Sequence, residues 1–412
     1  MLRGELGVLA GFTVLALVLG LKKPVWLALL LASMTMGLIG SGFDGFTTTL
    51  ISTAHSTATF DLVLVVFMIA ILVSLYNATG FISKLGEELV KLLGKPKLVA
   101  SAVPAVMGLL PVPGGALMSA PVVDAVGDKL GLSREKKLFI NVWFRHVVFI
   151  VYPLSAVIVT TASLTGISVW SLVARGLPVA FSMVVAGYLL GFRNTGQWSV
   201  GENVEGDVKE VLRVLSPMLT AVVVALVLSP LVDRQLVPWV PLTRYSMIIG
   251  LTLALILLVK LSGASLRLIW EATRSRITVE LVLASFSAVL LRDVFMAIDG
   301  PRIFSEIAPL SSELWKTVFM VLAPFTVSLA TGSPLVGVVL ATSMFRNTAS
   351  LGVREVALIY ASNMLGYIAS PAHLCYVYTA QYFKTPLANA YKEMSTATIV
   401  ALTAALIQFF II

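Results

Sequence analysis

The chain has 412 residues, of which 58% are hydrophobic and 12% charged, whereas about a quarter of a typical soluble domain is charged; this excludes a soluble globular fold, whose surface needs more polar cover. The net charge of +8 comes from basic residues scattered singly between apolar runs, so no nucleic-acid patch forms. A single cysteine, Cys375, excludes an intrachain disulfide and a Cys-rich metal site.

A bilayer-spanning helix takes about 20 mostly apolar residues. Ten segments fit: 5–21, 24–40, 60–80, 137–163, 168–192, 210–231, 244–261, 278–298, 354–383 and 388–412. The first is followed by Lys22, Lys23 and Pro24 rather than a small-residue cleavage site, which predicts a retained helix. His55 falls in an external loop and reads as solvated. Asp61 and Glu280 open equivalent spans and read as helix N-terminal acids. Two other apolar stretches, 97–127 and 314–345, are interrupted near their middles by Pro111-Val112-Pro113-Gly114-Gly115 and by Thr331-Gly332-Ser333-Pro334. Their halves, about 14 residues each, are too short to cross. They predict two re-entrant hairpins with tips at mid-bilayer, where irregular backbone survives only when buried in protein or lining a watery cavity.

Most Lys and Arg residues fall in the loops after the first, third, fifth, seventh and ninth spans and at the base of the first hairpin. That side is therefore cytoplasmic, and both termini are expected outside. The pattern Asp61-Leu62-Val63-Leu64-x-x-Phe67 recurs as Glu280-Leu281-Val282-Leu283-x-x-Phe286, and Gly114 and Tyr152-Pro153 recur as Gly332 and Ser370-Pro371 at nearly the same shift. The chain thus divides into a first repeat over 1–192, a cytoplasmic linker over 193–209 and a second repeat over 210–412. Each repeat has five spans and one hairpin. Five is odd, so the second copy is inverted, an architecture common among secondary transporters.

Pro113 and Pro334 are expected to open the second arms of the hairpins, and Pro153 and Pro371 to interrupt the spans 137–163 and 354–383. Ser333 and Ser370 are the expected N-caps. Four half-helices then begin near the midplane, their positive ends suiting a carboxylate or phosphate and the unwound carbonyls suiting Na⁺. Ionisable residues at membrane depth are functional candidates. Arg145 reads either as a bidentate holder of an anion or as a structural partner of Asp293. The adjacent pair Arg292-Asp293 reads as structural. His373 either binds substrate, carries a proton or satisfies a broken-helix carbonyl.

The hairpin Leu110-Pro111-Val112-Pro113-Gly114-Gly115-Ala116-Leu117-Met118-Ser119-Ala120-Pro121, set among ten spans in two halves, resembles an uncharacterised membrane family of the ion-transporter superfamily, which includes gluconate permeases, citrate and dicarboxylate carriers and arsenite permeases. The resemblance covers essentially the whole chain. It implies a scaffold, a moving domain carrying both hairpins, an elevator-like motion, often a homodimer, and a substrate site between the hairpin tips and the two broken helices. The Ser-Asn-Thr signature that dicarboxylate carriers place at their tips is absent.

The expected architecture is all-α, with ten spans and two hairpins. The expected function is secondary transport of a small organic anion, a carboxylate or sugar acid, coupled to H⁺ or Na⁺ across the cell membrane. The expected substrate-site residues are Pro113, Gly114, Gly115, Ser119, Arg145, Tyr152, Ser155, Thr331, Gly332, Ser333, Asn363, Ser370 and His373, with His146, Asp293 and His373 as proton-coupling candidates. No cofactor and no resident metal are expected. A cation/proton antiporter using Asp293 or His146 is the rival within transport. An integral-membrane enzyme acting on a hydrophobic substrate is the rival from another class, although the chain carries no His-Glu-x-x-His, Walker or Gly-x-Ser-x-Gly motif.

Overall fold

The computed structural model describes residues 2–21, 23–109, 116–193, 195, 207–233, 244–307, 312–345 and 351–411. Every regular element among them is a helix. The first half runs α1 (Leu2–Gly20), α2 (Val25–Gly40), α3 (Gly42–His55), α4 (Thr57–Ala78), α5 (Phe81–Leu93), α6 (Pro96–Met107), α7 (Ala116–Lys129), α8 (Arg134–Val147) with a 3₁₀ turn Val148–Ile150, α9 (Ala156–Thr165) and α10 (Val169–Gly191). The second half runs α11 (Val208–Val232), α12 (Tyr245–Ser262), α13 (Leu266–Thr273), α14 (Arg276–Ala297), α15 (Gly300–Ile307), α16 (Glu313–Thr331), α17 (Pro334–Phe345), α18 (Val353–Ala369), α19 (Leu374–Tyr382), a 3₁₀ turn Leu387–Ala390 and α20 (Tyr391–Ile411).

Seven of these helices are by themselves long and apolar enough to cross a membrane: α1, α4, α10, α11, α12, α16 and the run ending in α20. They show lipid-compatible apolar faces, such as Leu219, Val223 and Leu226 on α11. The chain is a multi-pass membrane protein. Helix α1 packs along α2 and α11 along α12, and α2, α4, α12 and α14 pack among themselves. A second group forms where α6 meets α7 and α8, α16 meets α17 and α18, and α10 packs on α20. Helices α9 and α19 cross between halves, α9 against α17 and α19 against α7.

The structure corrects several expectations. Short helices α3, α5, α13 and α15 were not foreseen, and His55 closes α3, its Nδ1 2.9 Å from the Ile51 carbonyl oxygen, instead of lying in a loop. Asp61 and Glu280 sit in the second turns of α4 and α14, past the helix starts at Thr57 and Arg276. Asp61 is buried and accepts from Arg244 Nη1 at 2.6 Å, while Glu280 pairs with Arg276 at 2.7 Å. At 19 residues, α16 is longer than the half-span expected of it. As for the prolines, Pro334 opens its helix, and Pro153 and Pro371 interrupt the spans 137–163 and 354–383, the helices behind them resuming at Ala156 and Leu374. Pro113, Gly114 and Gly115, and most of the linker 193–209, lie outside the described residues.

Candidate functional site

The two interrupted helices are made locally. Proline has no N–H to donate and forces its predecessor out of the helical region. Ser370, before Pro371, is accordingly extended (φ −67, ψ 131) and ends α18. Its hydroxyl donates to the Leu329 carbonyl of α16 at 2.5 Å and accepts from Ala372 N–H at 3.1 Å, tying the break to the neighbouring helix. Ser370 is thus the C-cap of α18, and the N-cap of α19 is His373, not Ser370 as expected. In the first half the chain leaves helix after Ile150, passes Tyr152-Pro153 and re-enters at Ala156 with Ser155 as N-cap. Two carbonyls around these breaks are capped by tyrosine: Tyr360 donates to Phe149 O at 2.7 Å, and Tyr391 to Ala369 O at 2.9 Å. Such partners are what let irregular backbone persist at membrane depth.

A cavity of about 270 Å³ lies where these pieces meet. Its wall includes Ser155, Ala156 and Val157 at the start of α9, Ser333, Pro334 and Leu335 at the start of α17, and Leu374 and Cys375 at the start of α19. Three helix N-termini therefore reach one space, each with first-turn N–H groups that lack intrahelical partners and with the positive end of its dipole. Tyr367 and Phe149 add aromatic wall, Val25 and Trp26 come from α2, and Ile277, Glu280, Leu281 and Ala284 from α14. The lining is mostly apolar with a few polar groups, the usual make-up of a small-molecule site.

The second arms of both helix pairs are clamped by asparagine. Asn363 of α18 donates to the Pro334 carbonyl at 2.9 Å, and its Oδ1 accepts from Ser328. Asn141 of α8 donates to the Ala116 carbonyl at 2.8 Å, and its Oδ1 accepts from Ser119 at 2.7 Å. Each asparagine thus holds the first residue of α17 or α7. Gly332, left-handed at φ +62, lets the α16–α17 turn approach the second break so closely that an added Cβ would lie 2.8 Å from the Ala372 carbonyl; only glycine adopts that backbone without strain.

Of the residues expected at the site, Ser155, Gly332 and Ser333 line the cavity. Ser119 and Asn363 are clamp residues just described. Thr331 caps the end of α16, donating to Val327 O at 2.7 Å. Arg145 is fully buried and donates to the Met107 carbonyl at 2.8 Å, and Tyr152 is buried off the cavity wall. The pairing of Arg145 with Asp293 is not what the structure shows: Asp293 accepts from Arg292 at 2.6 and 2.8 Å and from Thr53 at 2.8 Å. His146 and His373 stack edge to face, ring centroids 4.5 Å apart, with Tyr367 4.1 Å from His373. Sequence reasoning missed Asn141, Trp26, Tyr367 and Cys375. Asn141 carried no usable spacing signal, since it lies further ahead of Pro153 than Asn363 lies ahead of Pro371. The others are ordinary apolar or aromatic residues of a span.

The described residues form a multi-pass, all-helical fold with a cavity between interrupted helices. The chain resembles the structure described as the Alcanivorax borkumensis YdaH transporter with an unusual topology, at a TM-score of 0.63 and 16% identity over 96% of this chain and 98% of that one. Residues 5–412 match the family described as protein of unknown function (DUF401), and the chain belongs to that family. No curated protein matches it.

Proposed function

We propose that the protein is a secondary transporter that moves a small organic anion, a carboxylate or sugar acid, coupled to H⁺ or Na⁺, with the cavity as its substrate site. The observation that carries this reading is the meeting of the N-termini of α9, α17 and α19 at one largely apolar cavity. Such ends favour a negative group, and the apolar lining suits the carbon body attached to it. Buried Arg145 adds positive potential from behind the wall, while Glu280, the carboxylate on the wall, is offset by its pair with Arg276. The backbone at Gly332 and Ser333 gives close approach, and Ser155 offers its hydroxyl; Pro113, Gly114 and Gly115 are the candidates for the same part in the first repeat. His146, His373 and Asp293 are the candidates for carrying a coupled proton.

The two halves are read as inverted repeats over 1–192 and 210–412, joined by the linker 193–209. In support, the sequence of elements from α1 to α10 recurs from α11 to α20, and the packing of α9 on α17 is mirrored by that of α19 on α7. On this reading α6–α7 and α16–α17 are the re-entrant hairpins. With the broken helices, α10 and α20 they form a body that moves against α1, α2, α4, α11, α12 and α14 as an elevator, in a homodimer. On that reading the wall residues Val25, Trp26 and Ile277 stand at the starts of α2 and α14, the face that Lys22 and Lys23 mark as cytoplasmic.

The test is uptake by purified protein in proteoliposomes, using monocarboxylates and sugar acids first ranked by thermal stabilisation. Accumulation should require an imposed H⁺ or Na⁺ gradient, and Ala156→Trp, which fills the cavity, should abolish it while leaving the protein monodisperse. Stabilisation by monovalent cations alone would favour the antiporter reading. Conversion of a substrate without a gradient would favour an enzyme.

A further inference from the structure

Just behind the α19 wall of the cavity, His146, His373 and Cys375 bring their ligand atoms within 4.8 Å of one another, and all three are buried. They come from three local devices: the last turn of α8, the N-cap of α19 and the first turn of α19. His146 Nδ1 lies 2.6 Å from the Val142 carbonyl oxygen. A carbonyl only accepts, so Nδ1 carries the proton and Nε2 presents a lone pair. No hydrogen bond of ordinary length reaches that Nε2 or either ring nitrogen of His373; the Cys375 thiol beside His146 and the Ile368 backbone beside His373 make only long contacts. Buried polar atoms left in this way call for an explanation, an absent ion among them.

The donor set selects the ion. Two imidazole nitrogens and one sulfur suit soft or borderline metals such as Cu(I) and Zn²⁺, and no carboxylate joins the cluster to suit Mg²⁺, Ca²⁺ or Mn²⁺. Charge then separates the two soft candidates. Arg145, fully buried and directly before His146 in the last turn of α8, places a cation beside the cluster. Replacing the thiol proton by a monovalent ion leaves the charge of this buried cluster unchanged, whereas a divalent ion adds a positive charge beside a buried cation. Ligand atoms around a bound metal of this kind stand roughly 3.5 Å apart, so the three side chains need to close by about 1 Å. Cys375 faces the cavity, which supplies an entry path.

We propose that His146, His373 and Cys375 form a three-coordinate site for a thiophilic monovalent metal ion, Cu(I), reached from the cavity. The ion arrives already as Cu(I), bonds to the sulfur and both imidazoles, and displaces the thiol proton to solvent; nothing is oxidised or reduced. The assignment does not rest on the transport reading, and with the ion bound it leaves Asp293 as the candidate for a coupled proton.

The test uses the purified full-length protein under reducing conditions, with no transport readout. Wild type should hold one Cu(I) per chain against bicinchoninate, and X-ray absorption should show two nitrogens and one sulfur. Cys375→Ser should lower the affinity by at least about 100-fold and His373→Gln by at least about 10-fold, while Zn²⁺ in excess should leave the copper in place. Failure of wild type to retain copper, equal retention by Cys375→Ser, a shell of sulfur without nitrogen, or displacement by Zn²⁺ would each overturn the assignment. If a variant aggregates, the wild-type absorption spectrum decides alone.

Discussion

Gly366→Ala tests whether the close seat of α18 on α16 sets the position of the hairpin tip. A Cβ added at Gly366 would stand 2.2 Å from the Phe325 carbonyl oxygen and 2.8 Å from Phe325 C and Cα. Both sides of this contact are backbone, so no flexible side chain can yield, and α16 must retreat by roughly 1 Å to reach ordinary contact. Overpacking of this kind costs about 1–3 kcal/mol, and small residues are what allow membrane helices to pack so tightly. The displaced helix carries Ser328 and Leu329, which bond to Asn363 and Ser370, so the shift is transmitted to the turn at Gly332 and to the second break. In detergent, the midpoint of thermal unfolding should fall by about 2–6 °C, taking about 2 °C per kcal/mol for a large chain, and uptake by proteoliposomes should fall with it. Gly20→Ala, whose Cβ meets nothing within 4 Å, is the control and should leave both unchanged or raise the midpoint slightly, since alanine is the better helix former. A Gly366→Ala protein that melts with wild type and transports normally would refute the argument.

Asn363→Leu removes the bond that holds Pro334 and leaves the Ser328 hydroxyl and the Pro334 carbonyl without it; a loss of about 1–3 kcal/mol should appear as a lower unfolding midpoint. Asn141→Leu should cost a similar amount at Ala116, and unequal effects would mean that the two clamps are not equivalent. Arg244→Met should destabilise the protein by up to about 3–5 kcal/mol, because it removes a charged partner of the buried Asp61 carboxylate. Adding Asp61→Leu should recover part of that loss in a double-mutant cycle, and strict additivity of the two changes would show that the pair is not coupled.

The broad architecture was legible because it rests on the strongest signals a membrane sequence carries. Apolar length marked six of the seven helices long enough to cross, all but α16, and the breaks fall at Val151–Ser155 and Ser370–His373, where Pro153 and Pro371 placed them. The caps were not legible. Ser370 looks like an N-cap from composition, but the proline after it makes it the extended last residue of α18, and the helix resumes only after His373. Asp61 and Glu280 matched as a repeat, yet their roles diverge through partners that no periodicity displays, Arg244 far along the chain for one and Arg276 one turn away for the other. The cavity wall mixes residues from α2, α9, α14, α17, α18 and α19, so Trp26 and Cys375 acquire their place only from the packing of distant helices.

The breaks also bear on the sign of the charge that the cavity favours. An interrupted helix exposes carbonyl oxygens at the end of its first part and N–H groups at the start of its second. The sequence alone treats the two as equals, one suited to Na⁺ and the other to an anion. In the structure Tyr360 occupies the Phe149 carbonyl and Tyr391 the Ala369 carbonyl, while the Ser370 hydroxyl occupies Leu329 at the end of α16. Three carbonyls near the site are thereby engaged by protein hydroxyls, and the helix starts at Ala156, Pro334 and Leu374 are what reach the cavity. Those three starts bring positive dipole ends, each worth about 0.5 of an elementary charge, to the cavity. On the proposed reading these ends favour an anionic substrate.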